Sequence, residues 1–342
     1  MVDSGGMQVM ILAAGQSSRL LGMGLSLPKP MLPVCGYPAI TFALALCRDA
    51  GLTDIVINLH HHADKIGSAL GDGSAFGVGI RYCYEENLLG SGGGVHKARS
   101  MFRSEPVLIL YGSVAVDVDL REVLAAHYRA PTGTVATMVL REDLHPELWA
   151  PVTVDAGGRV LSIRGHHAGR KADGPLLPRM FTGIQVVEPA LLDRLPEGIS
   201  DMLGDTYIPA LCDGARISST TIAGYFSDHA TPERYLASNL ALVEKPGLLA
   251  RPPGPLQGVD PGAYVDAQAK VIAPVRIAAG ATIEAGAVVG PSAVICGGGH
   301  VAHGAEVTRS VVWPGAVAQG HCCGMIVMPH SAPLLAESPP EP

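Results

Sequence analysis

Leu12-Ala13-Ala14-Gly15-Gln16-Ser17-Ser18-Arg19-Leu20, followed by Pro28-Lys29-Pro30, is the stretch on which the fold turns. The short apolar run Val9–Leu12 reads as a buried strand ending in small residues and Gly15. Such an end exposes consecutive backbone N–H groups, and with no Cβ in the way a phosphate oxygen can approach them closely. Arg19 can clamp a phosphate with paired hydrogen bonds, and Lys29, ten residues on, adds a compact positive charge. The plainer alternative is a tight turn with two solvated cations. Downstream, strand-like runs at Asp54–Leu59, Gly79–Tyr84, Pro106–Tyr111 and Thr134–Leu140 alternate with helix-like runs at Pro38–Ala50, His62–Leu70, Gly93–Phe102 and Asp119–Arg129. That alternation predicts βαβ units, hence an α/β domain with a mostly parallel sheet covered on both faces.

Composition narrows the class. The chain has 342 residues, 24 Lys+Arg against 31 Asp+Glu, and a net charge of −7. At 48% hydrophobic and 16% charged it is a globular chain, and with aromatics at only 5% its core must be mainly aliphatic. Scattered cations on an acidic chain argue against nucleic-acid binding, which needs a clustered basic face. The longest apolar run, around Val107–Val116, is strand-sized, so no membrane span is expected. Seven cysteines without CxxC pairing, and no signal peptide at Met1–Met7, point to a cytoplasmic protein with reduced thiols.

From Val152 the pattern changes. Val152–Val154 and Arg159–Ile163 flank Asp155-Ala156-Gly157-Gly158, a hairpin signal, and Thr231-Pro232-Glu233 is a good helix start. Lys245–Gly258, with Pro246, Pro252, Pro253 and Pro255, reads as a linker. Beyond it Val259, Val265, Val271, Ile277, Ile283, Val289, Ile295, Val301, Val307 and Trp313 recur every six residues. Period six suits neither a helix nor a hairpin; it suits a hexapeptide solenoid of about three coils, each aliphatic pointing into a shared core. The tail from Ser331 is expected to be disordered.

The Leu12–Leu20 and Pro28–Pro30 segments resemble the LAAGxGxRL…PKP signature of the sugar-1-phosphate nucleotidyltransferases, the nucleotide-sugar pyrophosphorylase family. Leu89-Gly90-Ser91-Gly92-Gly93-Gly94 resembles the second nucleotide loop of that family, and Phe181-Thr182-Gly183-Ile184 its sugar-side strand. Gly224–Tyr235 resembles its GxWxDxGTPExY segment, and a hexapeptide β-helix is a common appendage. The closest flavour is the bacterial mannose- or heptose-1-phosphate guanylyltransferases. The resemblance implies a Rossmann-like α/β nucleotidyltransferase domain at 6–245, a linker at 246–258, a left-handed parallel β-helix at 259–330 and a tail at 331–342. It implies that an NTP and a sugar 1-phosphate give an NDP-sugar and pyrophosphate, with no covalent enzyme intermediate. Arg19 and Lys29 would be catalytic. Leu12, Ala13, Ala14, Gly15, Gly90, Ser91, Gly92 and Gly93 would bind nucleotide, Thr182 and Gly183 the sugar, and Asp228 would hold Mg²⁺. The β-helix would mediate homo-oligomer formation.

Departures from the family pattern qualify that picture. The family's metal-binding Asp falls on Ser113 in Tyr111-Gly112-Ser113, and a hydroxyl is a poorer Mg²⁺ ligand than a carboxylate. Asp117 and Asp119, just beyond, match a stretch that starts a helix. Arg164-Gly165 stands where many relatives grip the sugar phosphate with Glu-Lys, and Ala150 and Ala230 replace usual glycines. A second hypothesis is therefore a catalytically silent relative that binds a nucleotide-sugar and regulates a partner. Other tempting residues read blandly. His60-His61-His62 sit on a turning backbone, Glu85 and Glu86 read as solvated, and His300, His303, His321, Cys322 and Cys323 lack a zinc spacing. Acyl transfer by His300 or His303, as in some hexapeptide enzymes, is the remaining alternative.

Overall fold

A computed structural model describes residues 7–15, 27–143, 145, 149–169 and 174–336. The chain separates into two compact units whose limits differ from the expected division at 246–258. One takes residues up to 16, 43–112 and 118–224; the other takes 17–42, 113–117 and 225–342.

The first unit is built on a ten-stranded mixed sheet. Its centre is the parallel set predicted from the alternating runs: Gly79–Tyr84, Asp54–Leu59, Gln8–Leu12 and Val107–Tyr111, neighbours in that order. All five residues of Gln8–Leu12 are buried, which explains a run with no polar–apolar alternation. Beyond Val107–Tyr111 the sheet turns antiparallel. The long strand Leu177–Val187 pairs with Val107–Tyr111, then with Pro151–Val154 through its first residues and with Thr134–Arg141 across a break in register. The predicted hairpin forms, Pro151–Val154 against Val160–Ile163, and Asp155 closes it by accepting the N–H groups of Gly157 and Arg159. A second turn at Arg164-Gly165 has both residues at positive φ, 49° and 82°, and leads into His166–His167. Two positive φ values in a two-residue loop make a type I′ turn, where Asn-Gly is favoured and Arg is strained.

The second unit holds the solenoid. Its strands form three parallel ladders; Gly258–Val259, Val275–Ile277, Ala293–Ile295 and Val311–Val312 follow one another in the first. This is the left-handed parallel β-helix expected from the repeat, with four coils rather than about three. The inward row holds, since Ile277, Ile283, Val289, Ile295, Val301 and Val307 all have 0% exposure. Its last member does not, because Ile295 pairs with Val312 and Trp313 stands one residue past the inward position. Trp313 is nonetheless buried, packing edge to face on Tyr235 at 5.9 Å. The helix Pro232–Glu244, capped by Thr231 as predicted, belongs to the same core, as do Leu32, Val34 and Phe42. Arg276, buried on the second coil, makes two hydrogen bonds to Asp260, donates to the Tyr37 hydroxyl at 3.2 Å and stacks over the Tyr37 ring. The tail departs from expectation, since Leu334–Leu335 pairs antiparallel with Met325–Ile326 and Ala336 is buried.

Candidate functional site

In the first unit the strand Gln8–Leu12 delivers Ala13 and Ala14, both buried, and then Gly15, which is exposed. A Cβ built on Gly15 meets no described heavy atom within 4 Å. Among the described residues nothing crowds that backbone position. Not every amide is open, however. Ala13 N–H donates to Asn58 Oδ1 at 2.9 Å, Asn58 Nδ2 donates to Glu85 Oε1 at 2.7 Å, and Leu89 N–H donates to Glu85 Oε2 at 3.0 Å. Glu85 is 5% exposed, so its reading as a solvated acid is overturned: it is the buried acceptor that ties the first loop to the second. Asn58, missed in the sequence, had one signal, an amide set among the apolar residues that follow Asp54 in its strand.

The Gly90–Gly94 segment is not a loop; helix Gly90–Ala98 begins at its first glycine. Its glycines answer to the protein's own backbone. A Cβ at Gly90 would lie 2.5 Å from Ser200 O, and one at Gly93 2.0 Å from Gly198 O. At Gly94 it would meet Asn58 Nδ2 at 2.6 Å and Glu85 Oε1 at 2.7 Å. Gly92 N–H donates to Ser200 O at 2.9 Å, which seals this packing. Ser91 also turns inward, donating to Asp201 Oδ1 at 3.0 Å and accepting from Met202 N–H at 2.9 Å. Asp201 in turn accepts from Arg164 Nη1 at 2.7 Å and from Gly204 N–H. Burial pushes the Asp201 carboxyl up, but the bonds from Gly204 and Ser91 and the Arg164 charge outweigh it and hold the group below the usual carboxylate range.

On the sugar-side strand, Thr182 is buried and its hydroxyl donates to Val139 O at 2.7 Å. This bond, with the Ile184 N–H that the same hydroxyl accepts at 3.3 Å, braces the break in register between Phe181 and Gln185. Gly183 sits at φ 86°, and a Cβ there would lie 2.3 Å from the Tyr111 ring. Its glycine is fixed by the Tyr111 side chain.

In the second unit, Lys29 opens the turn Lys29–Met31 and Ser113 precedes Ala115–Val116, which pairs with Phe226–Ser227. Asp228 follows that strand; its Oδ1 accepts Ala230 N–H at 3.1 Å and lies 3.5 Å from Arg234 Nη1. His229, with 0% exposure and φ 48°, bonds Ser113 O through Nδ1 at 3.0 Å and Ser238 Oγ through Nε2 at 2.9 Å. Burial drives the His229 pKa down to about 4; the Ser113 bond opposes this and the Lys29 charge adds to it. The structure thus brings Ser113 to the buried imidazole that follows Asp228. Neither nearby acid replaces the lost carboxylate: Asp117 accepts Ala250 N–H and Asp119, in the first unit, caps helix Leu120–Tyr128. Arg19 and Gln16–Leu20 lie outside the described residues.

Among the described residues no three His, Cys, Asp or Glu side chains converge as a metal cluster, the histidine runs included. Mg²⁺ does not need one, since it is commonly held by one or two carboxylates with phosphates and water completing its shell. Asp228 fits that minimal donor set.

Over 195 residues the chain is 33% identical to the N-acetylmuramate alpha-1-phosphate uridylyltransferase of Neisseria meningitidis, covering 56% of this chain and 84% of that protein. Residues 8–164 match the nucleotidyl transferase family model. The chain belongs to this family. It is also 30% identical to the mannose-1-phosphate guanylyltransferase of Mycobacterium tuberculosis over 68% of its own length and 64% of that protein. The chain thus spans only about half to two thirds of two of the curated relatives it matches. In fold the chain is similar to the crystal structure of HddC from Yersinia pseudotuberculosis complexed with GMP-PN. That match has a TM-score of 0.56 at 19% identity and covers 68% of this chain and 98% of that one. No helix among the described residues is long and apolar enough to cross a membrane.

Proposed function

We propose that the chain is a sugar-1-phosphate nucleotidyltransferase. A phosphate oxygen of the sugar 1-phosphate attacks the α-phosphorus of an NTP, a new P–O bond forms, the α–β bridge breaks, and pyrophosphate leaves with its electron pair. The observation that carries this reading is Gly15, an exposed glycine whose Cβ position no described atom approaches within 4 Å, at the end of a fully buried strand whose next residues are braced by Asn58 and Glu85. A braced strand end that leads into an exposed glycine is suited to receive a polyphosphate chain.

In this reading Ala14 and Gly15 offer backbone N–H groups to the nucleotide, while Leu12 and Ala13 set their direction. Arg19 and Lys29 neutralise the phosphates as charge builds on the leaving pyrophosphate. Gly90, Ser91, Gly92 and Gly93 shape the nucleotide side through their packing, and Gly183 does the same for the sugar side by admitting Tyr111. Asp228 holds Mg²⁺, which when bound supplies positive charge to the phosphate oxygens. Within the class, guanylyl transfer to a mannose-like sugar is our narrower reading, supported by the mycobacterial relative; the neisserial relative, named for a uridylyl transfer, is the competing one. We also propose a cytoplasmic location, supported by seven free cysteines, and self-association through the β-helix. The named relatives, all called transferases, give no support to the silent regulator.

The test is pyrophosphate release from each of the four NTPs with a panel of sugar 1-phosphates and Mg²⁺. Turnover with at least one pair is expected, fastest with GTP and mannose 1-phosphate on the narrower reading. No release from any pair would overturn the assignment.

A further inference from the structure

We propose that His229 is a positioning residue that locks Ser113 and Asp228, the two metal-side positions, into one rigid body. This inference rests on the reading of Asp228 as the Mg²⁺ carboxylate. A carbonyl can only accept, so His229 Nδ1 must carry the proton donated to Ser113 O at 3.0 Å. The neutral ring then leaves Nε2 to accept from the Ser238 hydroxyl at 2.9 Å, and Ser238 accepts in turn from the Tyr225 hydroxyl at 2.8 Å. The result is a one-way chain of donors, Tyr225 to Ser238 to His229 to the Ser113 carbonyl, with every proton assigned. It fixes the tautomer and the ring orientation together.

The backbone supports the same role. His229 is held at φ 48°, a conformation unusual for this residue type. That bend turns the imidazole inward while Asp228, one residue earlier, closes onto Ala230 N–H at 3.1 Å. The carboxylate and the Ser113 peptide are thereby set relative to each other through one side chain. With a hydroxyl at 113 in place of a second carboxylate, metal retention depends on how well the one remaining carboxylate is aimed. Outer groups that orient metal ligands typically govern about 10- to 100-fold in affinity.

The experiment measures Mn²⁺ affinity of the full chain by electron paramagnetic resonance, with α,β-methylene analogues of the NTPs present, alongside thermal melting. His229→Ala is expected to loosen Mn²⁺ about tenfold, with metal-free analogue affinity in EDTA unchanged. His229→Asn, which tolerates positive φ and carries an N–H able to reach the Ser113 carbonyl, is expected to restore affinity to within about threefold. If His229→Ala does not fold, Ser238→Ala and Tyr225→Phe remove the upstream donors and are expected to loosen Mn²⁺ about threefold. Folded variants that bind Mn²⁺ as wild type does, or an Asn variant no better than Ala, overturn the inference while the metal reading stands. A wild type that binds no Mn²⁺ overturns both.

Discussion

Gly15 and Gly93 are the same residue in the sequence and opposite constraints in the structure. At Gly15 an added methyl touches no described atom, so Gly15→Ala should leave the melting temperature unchanged while weakening nucleotide binding about tenfold by calorimetry. At Gly93 the methyl would lie 2.0 Å from the Gly198 carbonyl oxygen, so Gly93→Ala should cost about 3 kcal/mol in denaturant unfolding. Equal melting curves, or equal nucleotide affinities, would show that the two sites had been assigned wrongly. A glycine-rich string is legible in a sequence, but whether ligand or backbone needs the space depends on a segment more than a hundred residues away. Glu85 shows the same limit: a charged residue beside a loop reads as solvated until the folded chain supplies Asn58 and Leu89 as donors. Ser113 was legible because it breaks a motif. Ser113→Asp is expected to tighten Mn²⁺ binding about tenfold, and unchanged binding would mean that position 113 lies outside the metal shell.

Elements were read best where a period repeats. Residues spaced by six line the solenoid core through Val307, and the parallel centre of the first sheet follows the alternating runs. The sequence missed the shift that carries Val312 rather than Trp313 inward, because a one-residue deletion between two aliphatics leaves the pattern looking intact. It also missed the helix beginning at Gly90, since glycine is a poor helix former and only the packing against Gly198–Ser200 outweighs that preference. The pair between Arg276 and Asp260 joins the first two coils. Hydrogen bonds from Arg276 hold the Asp260 carboxyl below its ordinary range against a smaller effect of burial. A carboxyl so lowered stabilises the folded state above its unfolded pKa, and that contribution is lost as pH falls through its folded value. Thermal melting of the wild type should therefore drop below about pH 4, whereas Asp260→Asn should lose about 3 kcal/mol at neutral pH and show a shallower acid slope. Parallel slopes for the two proteins would refute the linkage.

For the molecule as a whole, the sequence placed the boundary at a Pro-rich linker, while the compact units are assembled from separated segments. Composition shifts mark where the chain changes character, and long-range pairing decides which pieces share a core. The solenoid core cluster includes Leu32 and Tyr235, which lie far before the first repeat. On the first coil, Val259 is 46% exposed, Val271 36% and Tyr264 58%, although the next coil's inward row is fully covered. We expect a second copy of the chain to cover this end: sedimentation should give a dimer or larger, and Val271→Lys should dissociate it. A wild-type monomer at micromolar concentration would count against that arrangement.

Gly258 pairs with Arg276, eighteen residues on, and Val275 with Ala293 at the same interval. The early coils are thus interchangeable modules, and the prism can be lengthened in whole steps. Eighteen residues spliced ahead of Val259 would add a storey without disturbing the floors above it. The later coils step by seventeen and then fifteen residues, Ile295 to Val312 and Val312 to Val327, so the prism also absorbs a shortened step where its turns give way.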